Sequence, residues 1–188
     1  MGVKHALDFF AALTFVLLFW PLIAAVALIV RATSSGPAFF KQRRVGANKK
    51  EFTIYKFRTM RTGTPDVATH LFSGAGDYVT KVGKVLRKSS LDEIPQVFNI
   101  LKGEMSFIGP RPALHNQHDL TGMREAAGVH RVRPGITGWA QVNGRDELAL
   151  EQKVQFDKYY VDNWSFLLDI KIIIKTVKNV FTAKGVKT

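Results

Sequence analysis

Asp92 and Glu93 stand side by side in Ser89-Ser90-Leu91-Asp92-Glu93-Ile94-Pro95, with Arg87 and Lys88 before them and Arg111 after, in Gly109-Pro110-Arg111-Pro112. Adjacent carboxylates ringed by cations suit an anionic substrate, one acid serving as nucleophile or both as metal ligands. The spacing also permits a structural role. Ser89 with Asp92, and Ser90 with Glu93, fit the pattern of a capped helix start, where acids satisfy free N–H groups and oppose the positive dipole end. Either way the acids sit at the mouth of a helix beginning near Leu91 or, given Pro95, near Ile94, and ending at Lys102-Gly103. Such a mouth attracts phosphate and lowers the pKa of an acid placed there. The Gly-Pro-Arg-Pro turn is rigid and presents one guanidinium, a fork matched to phosphate. Lys56, in Tyr55-Lys56-Phe57-Arg58, belongs either to a solvated strand face or to a phosphate-facing one. Arg145 closes the run from Arg131, whose three arginines, three glycines and Trp139 suggest a backbone-rich binding loop.

These residues need elements to hold them. A length of 188 residues allows one domain of ordinary size. Runs 38–42 and 52–57, separated by Gly46-Ala47-Asn48-Lys49-Lys50, predict a hairpin. Arg61 to Val79 is rich in Gly, Thr, Asp and Pro and predicts a long loop. Trp164 to Ala183 is amphipathic, with Lys171, Lys175 and Lys178 opposite Leu167, Ile170, Ile174, Val177 and Phe181. That pattern fits a core-packing helix or a basic helix lying at an anionic membrane surface.

The net charge of +12 predicts an anionic partner, and the absence of cysteine excludes disulfides and thiolate metal sites. Nucleic acid is not the expected partner, because the cations cluster beside apolar segments and no nucleic-acid module is visible. Phe9 to Val30 is 22 residues without a charge, roughly 33 Å as a helix and enough to cross a hydrocarbon core. Pro21 in its middle is either a tolerated kink in a spanning helix or the break of a helix that enters and leaves one leaflet. Arg31, Lys41, Arg43, Arg44, Lys49 and Lys50 follow before the first acid, Glu51. That bias places the remainder of the chain on the cytoplasmic side.

Three ordered blocks resemble a known family, the small monotopic phosphoglycosyl transferases among the bacterial sugar transferases. They are Tyr55-Lys56-Phe57-Arg58-Thr59-Met60, the stretch from Gly83 through Ser90-Leu91-Asp92-Glu93-Ile94-Pro95-Gln96 to Pro112, and Arg133-Pro134-Gly135-Ile136-Thr137-Gly138-Trp139 to Arg145. The resemblance implies a mainly α fold with a small β-hairpin (α+β). It implies a membrane-embedded re-entrant helix-break-helix over 1–32 and a cytosolic, membrane-associated catalytic domain over 33–188 with interfacial amphipathic helices. The family hinges its membrane element at Ser-Pro, where this chain has Trp20-Pro21. The implied reaction moves a sugar 1-phosphate from a UDP-sugar to polyprenol (undecaprenyl) phosphate with Mg²⁺, releasing UMP, at the bacterial inner membrane among anionic lipids. By the same resemblance Asp92 is the nucleophile, Glu93 helps hold Mg²⁺ or positions the incoming phosphate, and metal binding falls to Asp92 and Glu93. Lys56, Arg87 and Arg111 bind phosphates, and Arg145 binds nucleotide or sugar. The alternatives are direct transfer in a ternary complex with Asp92 as a metal ligand, and a basic membrane-anchored scaffold whose acids only cap a helix.

Overall fold

The computed structural model describes residues 1–64, 75–144 and 147–182. Arg145 and residues 65–74 of the expected long loop lie outside them. Helix α1 (Gly2–Thr33) is followed by the hairpin β1 (Phe39–Val45) and β2 (Glu51–Phe57), both longer than predicted. Helices α2 (Lys81–Lys88) and α3 (Val97–Leu101) flank a 3₁₀ turn over Leu91–Gln96 that carries the acids. Beyond it come β3 (Ser106–Ile108), β4 (Ala113–Leu114), α4 (His118–Ala126), β5 (Gly135–Thr137), α5 (Trp139–Val142), α6 (Leu150–Asp162) and α7 (Phe166–Thr182). The fold is mainly helical with a small β part, as expected.

The strands form two small sheets. β1 lies between β2 and β4, antiparallel to both, and β3 pairs in parallel with β5. The second pairing explains the glycines at 109, 135 and 138. A Cβ at Gly135 would lie 2.1 Å from the Gly109 nitrogen, and one at Gly138 would lie 2.1 Å from the Gly109 oxygen. Only residues without side chains let these two backbones meet, and their contact fixes the start of the Gly109-Pro110-Arg111-Pro112 turn.

Helix α1 packs on the domain along one stripe. Lys4, Asp8 and Ala12 are buried at its N-terminal end, and Ile23, Val26 and Val30 at its C-terminal end. Ala12 joins Phe52, Ile54, Val97, Ile100 and Met105 in one core; Ile23, Val26 and Val30 join Phe57 and Leu86 in another. The rest of its surface is apolar and exposed, including Phe10, Leu17, Leu18, Trp20 and Leu28. Only 17% of its most apolar window is buried, unlike the core helix of a soluble protein. Its 32 residues extend roughly 48 Å at 1.5 Å per residue. Helix α1 continues through Pro21, whose missing N–H leaves one turn of its ladder without a donor.

One face of α7 turns Asp169, buried, and Lys175, half-buried, toward the domain, while Lys171 and Lys178 remain exposed. Lys171 and Lys175 lie 5.3 and 4.7 Å from the Trp139 ring centroid, and Lys175 Nζ donates to Asn143 Oδ1 at 2.8 Å. Leu167, Ile170, Ile174 and Val177 face outward and are 50–78% exposed. A core-packing helix would present the opposite faces. Ile172 alone among its isoleucines is fully buried.

Candidate active site

Lys56 is the third inward-facing residue of β2, after the buried Phe52 and Ile54, as the two-residue strand period requires. It is therefore not on a solvated face. Its Nζ donates to Glu93 Oε1 at 2.7 Å, and Arg111 Nη2 donates to the same oxygen at 3.0 Å. The side chains of Lys56 and Glu93 are only 14% and 11% exposed. Two cations thus converge on one carboxylate from opposite ends of the chain segment. Burial by itself would raise the Glu93 pKa, but Arg111 and Lys56 hold it well below the usual carboxylate range by charge and hydrogen bond. Burial lowers the Lys56 pKa, and Glu93 opposes that shift.

Asp92 has a different setting. It is 9% exposed, and among the described residues its carboxylate makes no hydrogen bond or ion pair. A helix mouth would lower its pKa; the structure overturns that expectation. Burial pushes the Asp92 carboxyl up and the Glu93 charge adds to the rise, against the pull of Lys56, Arg87 and Arg111. Arg87 Nε donates to Thr59 Oγ1 at 3.0 Å, which fixes its guanidinium over the site, and burial lowers its pKa against Asp92. Two neighbouring acids are thus driven apart, Glu93 bonded to two cations and Asp92 bonded to none of the described ones.

Helix capping does not account for the pair. Ser90 makes no capping hydrogen bond and sits in the left-handed region at φ 57°. The Ser89 hydroxyl turns back to the Val85 and Leu86 carbonyls at 2.9 and 3.2 Å, closing α2. The capped start lies earlier, where Thr80 Oγ1 accepts from Gly83 N at 2.9 Å.

Supporting residues hold this geometry. Asn99, wholly buried, accepts from Tyr55 N at 3.1 Å and donates to Thr53 O at 2.7 Å, tying α3 to β2. Arg124 pairs with the buried Asp157 and donates Nη1 to the Arg111 carbonyl at 2.7 Å; Arg44 Nη1 donates to Pro112 O at 3.0 Å. Asn99 was discoverable as the one polar residue inside Val97-Phe98-Asn99-Ile100-Leu101. Arg124 and Asp157 are 33 residues apart, and no local pattern announces them.

The structure gathers Asp92, Glu93, Lys56, Arg87 and Arg111 into one site. Among the described residues no group of three or more His, Cys, Asp or Glu side chains converges on a metal position.

Comparison with known proteins places the chain. Residues 1–183 match the bacterial sugar transferase family, and the chain belongs to it; the protein is a transferase. It is 43% identical over 187 residues to "Uncharacterized sugar transferase EpsL" of Bacillus subtilis (strain 168), covering 100% of this chain and 91% of that one. It is 44% identical over 173 residues to the UDP-glucose:undecaprenyl-phosphate glucose-1-phosphate transferase of Xanthomonas campestris pv. campestris, covering 88% of this chain and 36% of that protein. An Aeromonas hydrophila UDP-N-acetylgalactosamine-undecaprenyl-phosphate N-acetylgalactosaminephosphotransferase is 40% identical, covering 98% and 45%. The chain thus spans less than half the length of these Xanthomonas and Aeromonas relatives.

Proposed function

We propose that this chain transfers a sugar 1-phosphate from a UDP-sugar to polyprenol phosphate, as the names of its Xanthomonas and Aeromonas relatives describe for those proteins. The carrying observation is the contrast between the two acids: Glu93 is neutralised by Lys56 and Arg111, while Asp92 is buried and unpaired by any described residue. A carboxylate stripped of donors is more basic, hence a better nucleophile, than one in a salt bridge.

In the proposed sequence Asp92 Oδ attacks the sugar-bearing β-phosphorus. The bond from that phosphorus to the bridging oxygen breaks, and UMP departs with the electron pair. An oxygen of polyprenol phosphate then attacks the same phosphorus, giving polyprenol-diphosphate-sugar and freeing the Asp92 carboxylate. Arg87, Arg111 and Lys56 stabilise the charge on the phosphoryl oxygens, and Arg145 is proposed to bind nucleotide or sugar. Mg²⁺ fits a site of this kind, since it uses one or two carboxylates and takes its other donors from substrate phosphates and water. Asp92 and Glu93 would hold it, and when bound it neutralises the diphosphate charge that repels an incoming carboxylate.

The same proposal extends to the membrane. The Lys4 end of α1 reaches α7, where Lys4 Nζ donates to Asp169 Oδ2 at 2.8 Å, and the Asp8 carboxylate accepts from Ser106 Oγ of β3 at 2.7 Å. The Val30 end packs on Phe57 and Leu86. A helix crossing the bilayer would carry one end about 30 Å from the domain. Contact at both ends supports a re-entrant anchor over 1–32 with the domain 33–188 on the cytoplasmic face of the bacterial inner membrane, and the outward apolar face of α7 against anionic lipids.

The test is UMP release from UDP-glucose and UDP-N-acetylgalactosamine in the presence of undecaprenyl phosphate. Asp92→Asn is expected to abolish release with the thermal midpoint preserved, whereas Ser90→Ala retains release.

A further inference from the structure

A cavity of about 290 Å³ opens beside the acids, and its walls come from both apolar helices. Phe15 of α1, Val97 of α3, Phe107 of β3, Ile136 of β5, Val142 of α5 and Val180 of α7 contribute apolar wall. Glu93 and Arg111 line it too, with Ser90 and Lys88. Protein interiors are close-packed, so a space of this size with apolar walls and a charged end marks a ligand site.

The wall chemistry favours an apolar occupant over a sugar or a nucleoside. Hydroxyl-rich ligands need hydrogen-bond partners, and the polar wall residues are largely bonded to protein. Thr137 and Thr176 share a hydroxyl–hydroxyl bond of 2.8 Å, Thr176 also donates to Ile172 O at 2.8 Å, and Gln141 Nε2 donates to Ile136 O at 3.2 Å. Gln141 Oε1 is a buried acceptor without a partner, which falls short of what a sugar ring requires. Two of the walls, α1 and α7, also carry the exposed apolar faces of the molecule.

We propose that this cavity seats the first isoprene units of the lipid acceptor, with Lys88 and Arg111 facing its phosphate and α7 forming one wall of the acceptor site. The assignment rests on the polyprenol phosphate reaction proposed above. Nothing in the sequence placed α7 at the site. The cavity aligns the acceptor so that its phosphate end, and not its tail, meets the phosphorus held at Asp92.

The experiment is binding of farnesyl phosphate to the full chain in lipid nanodiscs, with inorganic phosphate and UDP as comparison probes. Val142→Trp fills the cavity from within. Val180→Trp fills it from a residue 39% exposed, where a larger side chain does not have to fit the core. Val85→Trp, on the outer face of α2 and 65% exposed, controls for partition into lipid. Farnesyl phosphate is expected to bind at least tenfold more tightly than inorganic phosphate. Val180→Trp is expected to weaken it about tenfold, with UDP affinity within twofold and Val85→Trp without effect. Equal affinities for farnesyl and inorganic phosphate would overturn the assignment, as would cavity-filling variants that leave farnesyl phosphate unaffected or weaken UDP instead. If no UDP-sugar yields UMP yet Val180→Trp weakens farnesyl phosphate, the transferase proposal fails while the prenyl site stands.

Discussion

At the scale of single residues, the site works by giving two neighbouring acids opposite environments. Glu93 lies between Lys56 and Arg111, and removing its charge leaves both cations without their shared partner. Breaking a buried ion pair costs about 3–5 kcal/mol; with Arg111 32% exposed, the low end applies. Glu93→Gln is therefore expected to lose about 3 kcal/mol of stability and most UMP release, checked by thermal unfolding and turnover together. A fully stable Glu93→Gln variant would contradict the pairing. Much of this was legible in the sequence. The adjacent acids and their basic neighbours mark the site directly, whereas the strand pattern left Lys56 open between a solvated face and a phosphate-facing one. The asymmetry between Asp92 and Glu93 was not legible, because it depends on which acid β2 and the 109–112 turn reach in space.

At the scale of elements, the turn that presents Arg111 is held from two directions. Its start is fixed by the glycine-to-glycine contact of β3 and β5, and its end by Arg44 and Arg124. Arg124 bridges the Asp157 carboxylate of α6 and the Arg111 carbonyl. Lysine keeps the charge beside Asp157 but lacks the fork that reaches the carbonyl as well. Arg124→Lys is expected to lower kcat for UMP release about tenfold, equivalent to about 1.4 kcal/mol, with the KM for UDP-sugar little changed. The ion pair Lys49–Glu125 on the same helix is about half exposed on both sides. Lys49→Ala is expected to leave the thermal midpoint unchanged, because an exposed pair is screened by solvent. The hairpin and α7 could be read from period and turn residues. Strands β3, β4 and β5 could not, since two or three residues carry no period and their pairing is set by partners far along the chain.

At the scale of the whole molecule, α1 is both anchor and scaffold. A buried carboxylate, Asp169, accepts from Lys4 Nζ at 2.8 Å, the Tyr160 hydroxyl at 2.8 Å and Trp164 Nε1 at 3.1 Å, locking the N-terminus to α6 and α7. Composition showed an apolar segment of spanning length, but its stripe of domain contacts required the fold. The chain has no cysteine, so single cysteines can report topology without background. In inverted membrane vesicles, a membrane-impermeant maleimide is expected to label both Gly2→Cys and Lys50→Cys. Labelling of Gly2→Cys only from the opposite side would establish a spanning helix.

The central claim is that Asp92 carries the phosphosugar, and intact-protein mass spectrometry tests it most directly. The purified chain, with Mg²⁺ and either UDP-glucose or UDP-N-acetylgalactosamine but no polyprenol phosphate, is expected to gain the mass of one sugar phosphate. The added mass should be absent in Asp92→Asn and discharged by undecaprenyl phosphate. An unmodified chain that releases UMP only once undecaprenyl phosphate is added would contradict the covalent route and leave direct transfer, with Asp92 as a metal ligand.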